Sequence, residues 1–495
     1  MRLQAELLKW APMSNSMVGS AENSGQNHGQ LARTMGMGAL IIYGVGDMLG
    51  AGVYGLMGKY AGKMGNAIWL AFAMSALAAL FTGLSYASLG SRYPRAAGAA
   101  YITHRAFHKT FLSYAIGLAI CASGLTSFAT QSRAFAGYLL GFGGYQVPGA
   151  KGELPVASAF VVFAIAAAFI GFLTLVNLRG MKEATWLNAL CTSIEVGGLL
   201  LIIAVGARYI GSVNLLEVPS PATSGSARSF PELGALGVGT LALQGAILTF
   251  YSFIGFEDMI NVSEEVKDPE RNFPRAVVLA LSITAVVYAL VAIVVVSVVP
   301  WRELATSGQP MVEVMRRAAP WFPPRVFSFV AMFAIANTAL LNFIMGSRLV
   351  YGMAKQGFLP RVLGEVHVTR QTPTRAIWVL ALVTLALILA GDISALATAT
   401  STLLLMIFIF VNAALIVLQR RPDEAKGRFE VPVLVPCCGI LVSLMMLGAA
   451  AFDTERRPSF AIATVILAGI AALYTAMKPK NLGEDDLAGL GENLD

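Results

Sequence analysis

Residues 249–274 read TFYSFIGFEDMINVSEEVKDPERNFP. The stretch begins within an apolar run long enough to cross a bilayer. It sets Gly255 beside Glu257 and Asp258, then leaves the apolar zone in a burst of charge with Pro269 and Pro274. An ionisable side chain at bilayer depth is costly unless it faces a cavity or a partner. A lipid-facing helix therefore has no use for two acids there. The reading that reconciles these features is a transmembrane helix broken near Gly255, with its freed backbone gripping a substrate.

Working outward, the composition fits that setting. Of 495 residues, 56% are hydrophobic and 13% charged, against about 25% charged in a soluble domain. An integral membrane protein with little room for a soluble domain is expected. The net charge of +7 invites a nucleic-acid partner. The basic residues lie between apolar runs and form no stripe, so none is expected. Cys121 and Cys191 lie in apolar runs, and Cys437 and Cys438 are adjacent. That is neither a disulfide framework nor a zinc spacing. His28, His104, His108 and His367 fall in loops or helix ends, which argues against a haem or metal site. No cofactor is expected.

Apolar runs of roughly 18 to 25 residues give about twelve candidate spans. Their limits are 36–58, 66–90, 108–140, 155–178, 184–209, 236–262, 275–300, 326–354, 374–391, 395–419, 432–452 and 458–477. Residues 1–35 are polar, have no apolar signal core, and read as a cytoplasmic tail. Residues 210–235 read as an outer loop and 478–495 as a second cytoplasmic tail. Lysine and arginine are densest in the loops that lie inside when the N-terminus is inside. Residues 301–325, with Arg302, Arg316, Arg317 and Arg325, run against that trend. A cell membrane (plasma or inner), with both termini cytoplasmic, is the expected location.

A weak symmetry follows. The first span contains YGVGDMLGAGVYG, Tyr43 to Gly55, with five glycines and Asp47 in its middle. The sixth contains the Gly255–Glu257 interruption. Interrupted spans in corresponding positions of two halves point to inverted repeats with a site near the midplane. The fold class expected is an all-α membrane protein with a 5+5 inverted repeat. Residues 36–209 and 236–419 would be the two repeats, and 420–477 two added helices.

At these residues the chain resembles the amino acid–polyamine–organocation (APC) transporter superfamily, in its amino acid permease branch. The family's helix-one pattern appears as Gly46 to Tyr54. Its helix-six pattern appears as Phe253–Glu257 and Glu264–Pro274, with Asp268 where Asn is usual. Its helix-eight exit appears as Ser347, Arg348, Tyr351, Gly357 and Pro360. The resemblance implies a helical, alternating-access carrier and not an enzyme.

In the site so implied, Gly50, Ala51 and Gly52 unwind helix one, and the amides that follow offer a positive dipole end to a substrate carboxylate. Packing of small residues between helices is the plainer explanation of the glycines. Carbonyls around Tyr251, Ile254 and Met48 would accept from an α-ammonium beside Gly255. By resemblance Tyr251 matches the aromatic that caps the substrate, and Glu257 an acid linked to proton sensing or the substrate's far group. Ordinary packing and an interhelix hydrogen bond are the plainer roles. Asp258 is left outside the site.

Asp47 departs from the small or amide residue of many relatives and favours a cationic group, a metal cation or a proton. Glu195 stands where several proton-driven relatives carry a lysine, so it would couple a proton, hold a cation, or bond to a neighbouring helix. Glu264, Glu265, Lys267, Asp268, Arg271 and Arg275 read as solvated loop charge. By resemblance, Glu264 and Glu265 would form an inner gate with Arg92 or Arg95. Asn337, Thr338 and Asn342 would line the pathway or bond between helices.

The function expected is secondary active transport of an α-amino acid with a proton. Exchange, transport of polyamines or organic cations, and a non-transporting nutrient sensor are the alternatives.

Overall fold

The computed structural model describes residues 33, 35–94, 98–145, 155–219, 227–229, 239, 241–243, 245–307, 309–367, 370–390, 393–424, 426–451 and 457–477. Both expected tails, apart from Arg33 and Met35, and part of the 210–235 loop fall outside them, as does Arg95.

The described chain is a helical bundle. Its helices are α1 (Met37–Met48), α2 (Ala51–Met64), α3 (Ile68–Arg92), α4 (Gly98–Phe107), α5 (Thr110–Phe142), α6 (Ala159–Arg179) and α7 (Met181–Gly206). They continue as α8 (Pro269–Val298), α9 (Trp301–Thr306), α10 (Pro310–Ala318), α11 (Pro324–Lys355), α12 (Thr374–Ala390), α13 (Ile393–Arg420), α14 (Leu434–Ala451) and α15 (Arg457–Met477). Between α7 and α8 lie a short hairpin of β1 (Glu217–Pro219) and β2 (Ala227–Ser229), and two 3-10 segments, Phe250–Phe253 and Phe256–Glu265. Among the described residues, eight helical stretches are long and apolar enough to cross a membrane. One of them runs from Met37 to Arg92 and takes in α1, α2 and α3. Two shorter apolar helices lie at Thr374–Leu389 and Leu434–Ala449. This is a multi-pass membrane protein.

Long-range hydrogen bonds sort the helix ends into two sets. At the end where α1 begins, Arg92 meets Glu430, Arg105 meets Glu424, and Arg348 meets Asn177. At the other end, Trp69 donates to the Leu215 carbonyl, Ser212 to that of Ser297, and Arg208 to that of Ala318. We call these the near and far ends. The expected outer loop 301–325 contains α9 and α10, which cap the far end. Their amphipathic arginines pair locally, Arg317 with Glu303 and Arg316 with Glu313.

An aromatic cluster fixes both flanks of the sixth-segment break. The Phe253 ring lies 5.2 Å from Tyr288 on α8, and Phe256 lies 5.4 Å from Phe408 on α13 and 5.9 Å from Tyr86 on α3. Rings of this size fill the space between helices and hold orientation through edge-on contacts. Large side chains such as Phe160, Phe172 and Trp186 point outward from α6 and α7, as expected for surfaces solvated by lipid.

Candidate functional site

The first break is two residues long. α1 ends at Met48, and α2 begins at Ala51 after Gly50, whose ψ of −127° is not helical. A helix start leaves its first amides without intrahelical acceptors, so the main chain of residues 51–53 presents donors at the gap. The glycines here are packing residues. A Cβ on Gly50 would lie 1.5 Å from Thr338 Oγ1, one on Gly46 2.1 Å from Thr192 Oγ1, and one on Gly52 2.7 Å from the Cα of Ser252. The space beside Gly52 therefore holds the first 3-10 segment, a correction to its expected role as the seat of a carboxylate.

The second break lies at Ile254 and Gly255. Ile254 is extended (ψ 134°) and Gly255 has φ +130°, a region that essentially only glycine adopts without strain. The Gly255 amide donates to Glu257 Oε2 at 3.0 Å, and its carbonyl accepts from the Asp258 amide at 3.1 Å. That second bond spans three residues and starts the 3-10 winding of Phe256–Glu265. Glu257 thus braces the break itself.

Two of the carbonyls expected to be open are occupied. Tyr251 O accepts from the Ile254 amide at 3.3 Å. Met48 O accepts from the Tyr288 hydroxyl, which also lies 2.9 Å from Ser252 O. Tyr288 therefore ties the two breaks together. Nothing in the sequence marked it, because a lone tyrosine in an apolar run reads as packing. The Ile254 carbonyl has no main-chain partner among the described residues.

The acids converge at this point. Asp47 is 1% exposed, and both its carboxylate oxygens are without hydrogen-bond partners among the described residues. A Cβ on Gly255 would lie 3.0 Å from Asp47 Cγ, so Asp47 and Glu257 flank one glycine. Asp258 is equally buried and neighbours both acids, although the sequence left it out. Glu195, fully buried on α7, also has two carboxylate oxygens without hydrogen-bond partners among the described residues. Asn337 faces it but gives its amide hydrogens to Gly46 O (3.3 Å) and Thr192 Oγ1 (2.9 Å). Thr192 in turn donates to Asn188 Oδ1 at 3.1 Å. Asn188 and Thr192, one turn apart on α7, were not singled out from sequence. Thr338 backs Gly50, and Asn342 donates to the Thr338 carbonyl at 2.9 Å.

Tyr251 is buried, its hydroxyl 3.3 Å from Ser127 Oγ on α5. Gln131 donates to the same Ser127 at 3.0 Å, so α5 orients the Tyr251 ring from one side.

Of the two arginines expected at the gate, Arg95 lies outside the described residues and Arg92 is partnered differently. Arg92 does not meet Glu264 or Glu265. It forms a two-point pair with Glu430, at 2.7 and 2.8 Å, in the loop after α13. Glu265 is 2% exposed and lies 3.6 Å from Arg348 Nε. It is therefore a buried group and not solvated loop charge. Arg348 is held by Asn177 (3.0 Å) and Ser347 (2.9 Å). Glu430 and Glu424 belong to the same near-end belt. Burial pushes their carboxyls up, but hydrogen bonds from Arg92 to Glu430, and from Arg105 and Tyr93 to Glu424, outweigh it and hold both below the usual range.

Comparison with known proteins places this arrangement in context. Residues 36–473 match the family model described as amino acid permease. An uncharacterized transporter of Mycobacterium tuberculosis is 31% identical over 429 residues, covering 85% of this chain and 88% of the relative. The methylthioribose transporter of Bacillus subtilis is 29% identical, covering 83% and 86%. The branched-chain amino acid permease BcaP of the same organism is 26% identical, covering 86% and 90%.

Proposed function

The chain belongs to the amino acid permease family, and we propose on that premise that it carries an α-amino acid across the cell membrane by alternating access, together with a proton. One observation carries this reading. Asp47, enclosed at the meeting point of both breaks, has no hydrogen-bond partner for its carboxylate among the described residues. An ionised carboxylate enclosed without a partner costs several kcal/mol, so such a group calls for a proton or an arriving cation. A substrate ammonium near Asp47 and the Ile254 carbonyl supplies that cation. The first-turn amides of α2 point along its axis into the gap, away from the outward side of Gly52 that Ser252 fills, and they suit the substrate carboxylate. Tyr251 closes over the pair, and Glu257 holds Gly255 in shape while sharing the charge of the cluster. Filling the site neutralises it, and the filled carrier exposes it at the near end.

The near end is the cytoplasmic one in this reading, because the arginine-rich loops gather there. The two breaks, five spans apart, support a 5+5 inverted repeat within twelve spans. Purified protein in liposomes should accumulate labelled amino acids faster under an inward proton gradient. Uptake that ignores both the gradient and an uncoupler removes the proton from the reading.

A cargo without a carboxylate is the second reading. It is favoured by Ser252 filling the space at Gly52, and by the similarity to a carrier named for methylthioribose. A thermal-shift comparison of amino acids with methylthioribose separates the two, since a bound ligand raises the melting temperature.

A further inference from the structure

α1 and the second 3-10 segment run side by side in opposite directions. Three points set their register. The Met35 amide donates to Glu265 O at 2.9 Å, and the Lys267 amide to Met35 O at 2.8 Å. Midway, a Cβ on Gly44 would lie 2.5 Å from Met259 Sδ. At the top, Gly255 abuts Asp47. The seam therefore runs for about 18 Å along α1, from the break to the near end.

Polar groups line this seam. Tyr43 and Asp47 are four residues apart, so they stack on one face of α1. A 3-10 segment has three residues per turn, which puts Asp258, Asn261 and Glu264 on one face as well. Under α winding that file would drift around the helix. Tyr43, Asp258 and Asn261 are 3%, 2% and 1% exposed. The Tyr43 hydroxyl and Asn261 Oδ1 have no hydrogen-bond partner among the described residues. The charged groups facing Tyr43 are Asp47 from its own helix, Asp258 and Glu265 from the 3-10 segment, and Arg348 from α11. Those facing Asp258 are Glu257, Asp47 and Tyr43, with Tyr86 of α3 and Cys121 of α5. A buried phenol between two acids and an ion pair, bonded to none of them, is poorly explained as packing, since buried hydroxyls normally find a partner.

We propose that Asp258 and Tyr43 carry the coupled proton along this seam, between the Asp47–Glu257 pair and Glu265 at the near end. This rests on the reading of the chain as a proton-coupled carrier. An O–H bond at the Asp47–Glu257 pair breaks, and an Asp258 carboxylate oxygen takes the proton. Asp258 passes it to the phenolic oxygen of Tyr43. The phenol's own proton leaves to the Glu265 carboxylate, through water admitted at the near end. Tyr43 ends neutral, and one proton has moved the length of the seam.

The test uses full-length protein in liposomes and a mixture of the twenty labelled α-amino acids. Gradient-driven accumulation and counterflow against the unlabelled mixture are measured in parallel. Tyr43→Phe should cut gradient-driven accumulation at least tenfold and leave counterflow within about twofold of wild type, and Asp258→Asn should cut accumulation at least tenfold more than it cuts counterflow. Counterflow also reports folding, and either variant suffices if the other fails to insert. Wild-type accumulation in both variants overturns the relay alone. An equal loss of counterflow and accumulation also overturns it, because it marks a structural role. A wild-type protein indifferent to the gradient overturns the proton-coupled reading, and the relay with it.

Discussion

The two breaks look alike in sequence, each a glycine within an apolar span, yet they are built differently. At Gly50 the backbone keeps an ordinary φ of −62°. Glycine is required there by what stands outside, the Thr338 hydroxyl at 1.5 Å from a would-be Cβ. At Gly255 the requirement lies in the backbone itself, with φ at +130°, and the neighbours are acids. The first gap is flanked by α-helices and offers amides. The second is flanked by 3-10 segments and gathers carboxylates. One break is thus permitted by packing and leaves the first amides of α2 without intrahelical acceptors, while the other is imposed by conformation and has Asp47 and Glu257 beside it.

That contrast breaks most visibly under a methyl group. Gly255→Ala meets both a forbidden φ and Asp47, and strain of this kind costs about 1–3 kcal/mol before the contact is counted. Transport should be lost and the melting temperature should fall, with no second-site change restoring either. Gly50→Ala should be similarly inactive alone but recover in part with Thr338→Gly, which clears the obstruction. Equal rescue of both, measured as uptake in liposomes, would erase the distinction.

Next in size is Tyr288→Phe. It removes the hydroxyl shared by Met48 O and Ser252 O and leaves buried carbonyls unmet, at a cost of about 1–3 kcal/mol. Thermal unfolding should shift down at unchanged expression, and substrate affinity should weaken because both breaks lose their common tether. An unshifted melt would mean the breaks are held by the aromatic cluster alone.

Glu257→Gln should keep the bond to the Gly255 amide, since a carboxamide oxygen still accepts. The folded protein should therefore survive, with gradient-driven uptake reduced about tenfold, roughly 1.4 kcal/mol, and its pH dependence flattened. The titratable groups left around the site, Asp47, Asp258 and Glu195, should preserve a residual pH response. An unaltered profile takes Glu257 out of the coupling role.

The smallest effect belongs to the near-end belt. Glu430 is held below its ordinary range by Arg92 against the opposing pull of burial. A depressed carboxyl contributes stability that is full above its unfolded value and is lost as pH falls through the folded one. Glu430→Gln should therefore melt slightly below wild type at neutral pH, by under about 1 kcal/mol for a partly exposed pair. The two curves should converge in acid. A deficit that grows in acid would contradict the assigned pair.

How much of this was legible beforehand depends on the range of each interaction. The helical runs were legible because lipid demands long apolar segments. For example, the expected 108–140 and 326–354 correspond to α5 at Thr110–Phe142 and α11 at Pro324–Lys355. Gly255 was legible because a glycine between aromatics and acids has few other uses. The occupants of the gaps were not. Ser252 against Gly52, and Tyr288 against Met48 O, are contacts between residues about 200 or more positions apart, with no local pattern to announce them. Arg92 and Glu430 are separated by 338 positions, so no local pattern announced that pair, and the acids nearer in sequence, Glu264 and Glu265, were the natural expectation for Arg92. Asp258 was set aside by assuming α winding. The break brings Asp47 against Gly255, where Asp258 neighbours both Asp47 and Glu257 whichever way the segment winds.

The most direct measurement follows protons with no labelled cargo at all. Liposomes containing the protein and a trapped pH-sensitive dye are given the twenty-amino-acid mixture at equal internal and external pH. Lumenal acidification on addition, abolished by an uncoupler and by Asp47→Asn, is the expected result. Amino acid entry without any change in lumenal pH would contradict the claim that the carboxylates between the two breaks load a proton with the cargo.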